Sequence, residues 1–266
     1  EPEEKTLVSL NKLNFNNAHQ VWKLVSGWHY GRYKIMQSEK SRQLLTILIP
    51  KLLNSIGKIP YPNETLYRFD NFLKNLSYEV QVLSLLKENS KILLDFLSIL
   101  GLSSKLGQYM SSNVNLVESF LQKDFFNINN LENYINEQLE LIKTLEATYE
   151  EKLIKFSNII NEIKFQISVN YLLEKTSNIR CQELFSYLAI TSLKVAIEIV
   201  FLEYKFHLTE LSNCEFGVIG FGGITKKSLN YDSDLDLVYV FNFKNINNYD
   251  PNKIGLLFDN FVKRLE

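Results

Sequence analysis

Apolar residues recur at three- and four-residue intervals as far as about residue 210, the period of one buried face on an α-helix. Ser38 opens a segment with Leu44, Leu45, Leu48, Leu52 and Ile56 on one side, and the pattern ends near Gly57. Pro60 and Pro62 break it. Asn63 and its neighbouring acid open the next helix, through Leu66, Phe69, Phe72, Leu73 and Leu76. Two further helices, separated at Asn89–Ser90, stop at Gly101, and short helices are expected over 103–112 and 115–122. The Asn-rich stretch 127–130 reads as a connection. Leu131 to Lys175 is almost unbroken helix, bent or divided near Ala147. Cys181 to His207 is apolar around most of its circumference, which predicts a buried helix.

The period changes at Glu215. Residues 215–221 read as a short strand, 222–233 as a loop, and 234–243 as a second strand dense in β-branched and aromatic residues. A turn over Asn245–Pro251 leads to an amphipathic helix with Ile254, Leu257, Phe258, Phe261, Val262 and Leu265 on its apolar stripe. The chain begins at Glu1 and stops inside that pattern, so a piece of a longer polypeptide is expected.

Composition narrows the function. Apolar residues make up 45% of the chain, ample for a core, and 29 basic residues nearly balance 30 acidic ones. No basic field points to nucleic acid and no polybasic stripe to an anionic membrane, so proteins or small molecules are the expected partners. Cys181 and Cys214 provide neither a disulfide framework nor metal-ligand spacing. The run Ile92–Leu102 is interrupted by Asp95 and falls short of the roughly 20 residues that span a bilayer. The opening EPEEK is acidic where a secretory signal is basic, and a cytoplasmic location is expected.

The chemistry concentrates in GFGGITKKSLNYDSDLDLVYVF, Gly220 to Phe241. A strand runs into Gly222–Gly223, ten residues follow, and Asp234-Leu235-Asp236-Leu237 opens the next strand. Strand alternation puts Asp234 and Asp236 on one face, where two carboxylates can grip divalent ions. Magnesium favours such hard oxygen ligands and keeps positions for water and phosphate oxygens. Glycines at the strand end let the backbone approach a triphosphate, and their N–H groups can form an anion nest. An Asp-x-Asp alone is a weak signal, and a glycine pair alone is an ordinary turn. Their spacing and strand context together support the catalytic reading.

That combination resembles the signature of polymerase-β-like nucleotidyltransferases, which displace pyrophosphate in line at the α-phosphate of a nucleotide. The resemblance extends further. Gly222-Gly223-Ile224-Thr225-Lys226, Lys227-Ser228-Leu229 and Ser233-Asp234-Leu235-Asp236-Leu237 follow the signature G-K-L-G-[GS]-x-E-[LM]-x-x-x-S-D-[IL]-D-L of the bacterial glutamine synthetase adenylyltransferase family. Upstream, Gly27–Leu53, Leu66–Leu86 and the phrase at Asp124-Phe125-Phe126 are similar to that family's central helical linker, and Lys164–Leu173 to the helix entering its second catalytic domain.

The resemblance implies a mostly α fold with a partial α/β nucleotidyltransferase core at the C-terminus. Residues 1–126 would be the helical linker, and 127–266 the first part of the catalytic domain, with helices over 131–208 and catalytic strands over 215–243. It implies AMP transfer from ATP to a tyrosine of glutamine synthetase, under a PII-type signal protein and glutamine. Asp234 and Asp236 would be the catalytic magnesium ligands, with Gly222, Gly223 and Ser233 shaping the phosphate site.

Three departures stand out. Gly223 replaces the family's Lys, and Thr225–Lys226 replace its small pair. A third metal carboxylate, in an Asp-x-Arg-Leu-Arg-Pro segment, is expected beyond this chain, so the chain alone is expected to be inactive. The alternatives are the adenylyl-removing reaction and a decayed motif on a helical interaction or regulatory module.

Other residues have plainer expectations. His29 suits packing or helix entry, and the three scattered histidines do not suggest zinc. Arg32, Arg42 and Arg68 suit surface ion pairs. Tyr67, Phe69, Phe72, Tyr78 and Phe96 suit a core, and Lys152, Lys155 and Lys164 carry no assigned role.

Overall fold

The computed structural model describes residues 3–30, 33, 38–76, 79–113, 115–121, 123–205, 214–243 and 251–265. Arg32, Tyr78, the end of the helix at His207 and the connection over 244–250 lie outside these residues, as do the side chains of His29, Asp124, Ile254 and Leu257. Two compact units partition the chain: residues 1–126 with 172–175, and residues 127–171 with 176–266.

The first unit is helical among its described residues: α1 (Glu4–Lys12), α2 (Ala18–His29), α3 (Glu39–Ile56), α4 (Pro62–Asn75), α5 (Glu79–Glu88), α6 (Ser90–Leu102), α7 (Ser104–Ser112) and α8 (Asn115–Leu121). Side-chain caps fix several starts. Ser38 accepts from Ser41 N–H, Asn89 from Lys91 and Ile92 N–H, and Ser103 from Leu106 N–H, each answering backbone donors that a first turn leaves unpaired. Helix α4 starts one residue earlier than Asn63, because Pro62 fits a first helical position where its missing N–H costs nothing.

Trp28, Phe69, Phe72 and Phe96 are fully buried, with Phe72 and Phe96 in edge contact at 4.8 Å. Among these rings lies the buried carboxylate of Asp70. It accepts hydrogen bonds from Trp28 Nε1 and Tyr33 OH, each at 2.7 Å, and pairs with Lys74 at 2.9 Å. Three partners offset the cost of taking a charge out of water. Tyr67 departs from expectation: it is exposed and donates to Gln20 Oε1. Arg68 does too, since its guanidinium donates to the Leu100 carbonyl near the end of α6 instead of forming a surface ion pair.

The second unit begins with α9 (Leu131–Thr144), α10 (Tyr149–Leu172) and α11 (Asn178–Lys205). The division near Ala147 is a capping box. Thr148 Oγ1 accepts from Glu151 N–H, while the Glu151 carboxylate accepts from Thr148 N–H at 2.9 Å. Ile135, Leu139 and Ile142 of α9 pack with Ile163 and Ile167 of α10 and with Leu184, Leu188, Val195 and Ile199 of α11. Exposed ion pairs Lys143–Glu198 and Arg180–Glu132 trim the α9–α11 seam. Residues 178–203 of α11 are long and apolar enough to cross a membrane by length and composition. Cys181, Leu184, Leu188 and Val195 are nonetheless buried in this unit's core, as in the central helix of a folded domain.

Strands β1 (Cys214–Phe221) and β2 (Asp236–Phe243) form an antiparallel pair that runs from Cys214 opposite Phe243 to Phe221 opposite Asp236. Among the described residues the sheet has these two strands. Helix α12 (Pro251–Leu265) follows, and Phe258 lies against Phe216 at 5.6 Å and Phe241 at 4.0 Å. The chain is therefore mostly α, with a small sheet near its C-terminus.

Candidate functional site

The candidate site is the corner where β1 turns away from β2. Gly222 adopts φ +63°, a left-handed conformation that only glycine takes without strain, and it ends the ladder immediately after Phe221. For that reason β2 begins at Asp236, two residues later than alternation alone predicts. Asp234 precedes the strand and does not share a pleat with Asp236.

Gly222 has a second constraint. A methyl group built there would lie 2.6 Å from Asp236 Oδ2, so the Asp236 carboxylate occupies the space any side chain at 222 would need. The glycine turn and the first carboxylate of β2 are thus in direct apposition across the last rung of the sheet. Asp234 and Asp236 are both exposed. Two exposed carboxylates offer the hard oxygen donors that magnesium takes. Among the described residues no third His, Cys, Asp or Glu joins them.

The intervening loop is fastened at several points. Ser228 N–H donates to Gly223 O at 2.9 Å, and Thr225 Oγ1 donates to Gly222 O at 2.8 Å. The side chains of Ile224 and Leu229 are buried in the core formed by α9, α10 and α11. A Cβ on Gly223 would meet Leu229 Cδ2 at 2.9 Å, so this glycine also sits where a larger residue crowds the loop. Tyr231 is held between an edge contact with Phe185 at 6.4 Å and the Lys164 ammonium, 4.9 Å above its ring. Lys164, given no role from sequence, steadies this loop.

Ser233 is committed locally. Its hydroxyl accepts from Asn230 N–H at 2.9 Å, and its N–H donates to Asn230 O at 3.3 Å. Asn230 Oδ1 accepts from Asp232 N–H. This side-chain-closed turn shapes the backbone that delivers Asp234. Lys226 and Lys227 are exposed on the loop, as is Thr225.

The sheet's faces differ. Leu237 and Tyr239 look toward a cavity of about 260 Å³, also lined by Lys164, Phe185, Leu188 and Ser192. Asp236 alternates to the opposite face with Val238 and Val240, both exposed. The carboxylate face is therefore the open one. Sequence reading missed Ser186, Phe185 and Tyr231 as supports of the loop. The available signal was a hydroxyl interrupting the apolar circumference of α11.

The family model for glutamate-ammonia ligase adenylyltransferase matches residues 93–254, more than half of the chain. Similar curated proteins include one from Mesorhizobium japonicum, 28% identical over 89% of this chain and 24% of the relative. One from Brucella melitensis is 26% identical over the same shares, and one from Bartonella quintana is 26% identical over 100% of this chain and 28% of the relative. Each is named a bifunctional glutamine synthetase adenylyltransferase/adenylyl-removing enzyme. The chain spans about a quarter of the length of these relatives.

Proposed function

Because the chain belongs to the glutamate-ammonia ligase adenylyltransferase family, we propose that it contributes the nucleotide-binding corner of a longer enzyme that transfers AMP from ATP to a tyrosine of glutamine synthetase. In this reading β1 and β2 begin a polymerase-β-like core. The observation that carries the proposal is the apposition of Gly222, at φ +63°, with the Asp236 carboxylate. That contact brings the glycine backbone beside a carboxylate oxygen of the kind magnesium takes, with Asp234 two residues upstream on the exposed surface.

Asp234 and Asp236 would hold magnesium, which when bound neutralises charge on the phosphate oxygens. The backbone at Gly222 and Gly223 admits the triphosphate, and the Asn230–Ser233 turn orients the approach to Asp234. The tyrosine oxygen forms a bond to the α-phosphorus as the bond from that phosphorus to the pyrophosphate oxygen breaks. Pyrophosphate leaves, and the hydroxyl proton is released to solvent. With Gly223 in place of the family's Lys, Lys226 and Lys227 are the nearby loop cations that face solvent. Control by a PII-type protein and glutamine, in the cytoplasm, completes the reading.

The names of the relatives also favour a second reading, the adenylyl-removing reaction, in which phosphate attacks AMP–tyrosine and releases ADP. Titrating the longer protein with ATP tests what both share. Magnesium-dependent binding that Asp236→Asn weakens at least about tenfold, equivalent to about 1.4 kcal/mol, is expected. Binding that is indifferent to magnesium and to Asp236 would sink both. Supplying adenylylated glutamine synthetase and phosphate, then assaying ADP, separates the two directions.

A further inference from the structure

We infer that Ser186, on helix α11, is a positioning residue for the nucleotide loop. Ser186 is buried, and its hydroxyl proton is committed: Oγ donates to the Gln182 carbonyl one turn back at 2.8 Å. That donation leaves a lone pair directed away from the helix, and it accepts the Leu229 backbone N–H at 3.4 Å in a buried bond between residues 43 apart in sequence. A buried N–H without an acceptor is strongly disfavoured, so the hydroxyl specifies where this part of the loop can sit.

The consequence reaches the site by contact. The Leu229 side chain fills the space beside Gly223, where an added Cβ would meet it at 2.9 Å. Gly222 precedes Gly223 and lies against the Asp236 carboxylate. On the other side, Leu229 leads into the Asn230–Ser233 turn that delivers Asp234. One hydroxyl thus sets the register of the segment between the two halves of the motif. Helix α11 is itself held to α9 beside this point, where Tyr187 OH donates to Asn136 Oδ1 at 2.9 Å. The inference rests on the adenylyl-transfer reading only for what the loop binds.

The test uses the longer protein with Ser186→Ala and Ser186→Thr. Amide exchange is followed across Gly222–Asp236, and magnesium-dependent ATP affinity is measured alongside. Ser186→Ala should speed exchange of Leu229 through Ser233 by about tenfold or more and weaken ATP by a similar factor, with the melting transition of the helices little changed. Ser186→Thr, which keeps the acceptor, should restore both. Unchanged exchange in Ser186→Ala overturns the inference, as does faster exchange with unaltered ATP affinity. If the parent protein binds no ATP, the adenylyl-transfer reading fails by itself, and the exchange arm still decides whether Ser186 positions the loop. Should Ser186→Ala fail to fold, Ser186→Cys, a weaker acceptor of similar size, carries the same measurement.

Discussion

Gly222 is the residue on which the site turns. Its positive φ and the Asp236 oxygen beside it make two independent demands for a missing side chain. Gly222→Ala should cost about 1–2 kcal/mol in backbone strain alone and should displace Asp236, lowering magnesium-dependent ATP affinity at least tenfold, or about 1.4 kcal/mol. Calorimetric titration and thermal melts of the variant check both parts. The glycine pair and the Asp pair were legible in the sequence because spacing and residue type carry them. That Asp234 stands outside β2 was not, since it follows from the φ of Gly222, which residue identity permits without requiring. Cys181 gives a different expectation. Burial pushes its thiol up to about 11, and its sulfur faces the Ile167 carbonyl. Thiolate is then scarce at pH 8, about one molecule in a thousand. Alkylation mapped by mass spectrometry should leave Cys181 unmodified until the protein unfolds.

At the scale of elements, periodicity located the helices well because each buries one face. The apolar stripe Leu44, Leu45, Leu48, Leu52 and Ile56 of α3 is buried throughout. Ends were harder to read. The break near Ala147 is set by reciprocal bonds between Thr148 and Glu151, and a single carboxylate decides where α10 begins. The Thr148 backbone N–H, then its hydroxyl, hold the Glu151 carboxyl below the ordinary glutamate range. A carboxylate lowered in the folded state stabilises above its unfolded pKa and loses that contribution as pH falls through its folded value. The first turn of α10 should therefore be intact at neutral pH and fray on acidification below the usual glutamate range. Amide exchange at residues 149–152 as a function of pH should show this, and Glu151→Gln should exchange faster already at neutral pH.

At the scale of the whole molecule, the chain consists of a helical unit and a second unit in which three long helices support a short sheet. The helical unit spends its polar groups on its own order, as the Asp70 cluster with Trp28, Tyr33 and Lys74 illustrates. In the second unit the longest helix, α11, packs against α9 and α10 and also accepts the Leu229 N–H of the loop on Ser186. Composition foresaw a substantial core but not this tie, because a hydroxyl that interrupts an apolar helix, as Ser186 does, does not name the backbone N–H it will accept. The most direct measurement incubates the longer enzyme proposed above with ATP, magnesium and unmodified glutamine synthetase, and reads AMP on the target by intact mass together with pyrophosphate release. Adenylyl transfer from this corner requires AMP on a tyrosine with stoichiometric pyrophosphate, both abolished by Asp234→Asn or Asp236→Asn. Transfer that persists in both variants, or none from the parent protein, would contradict it.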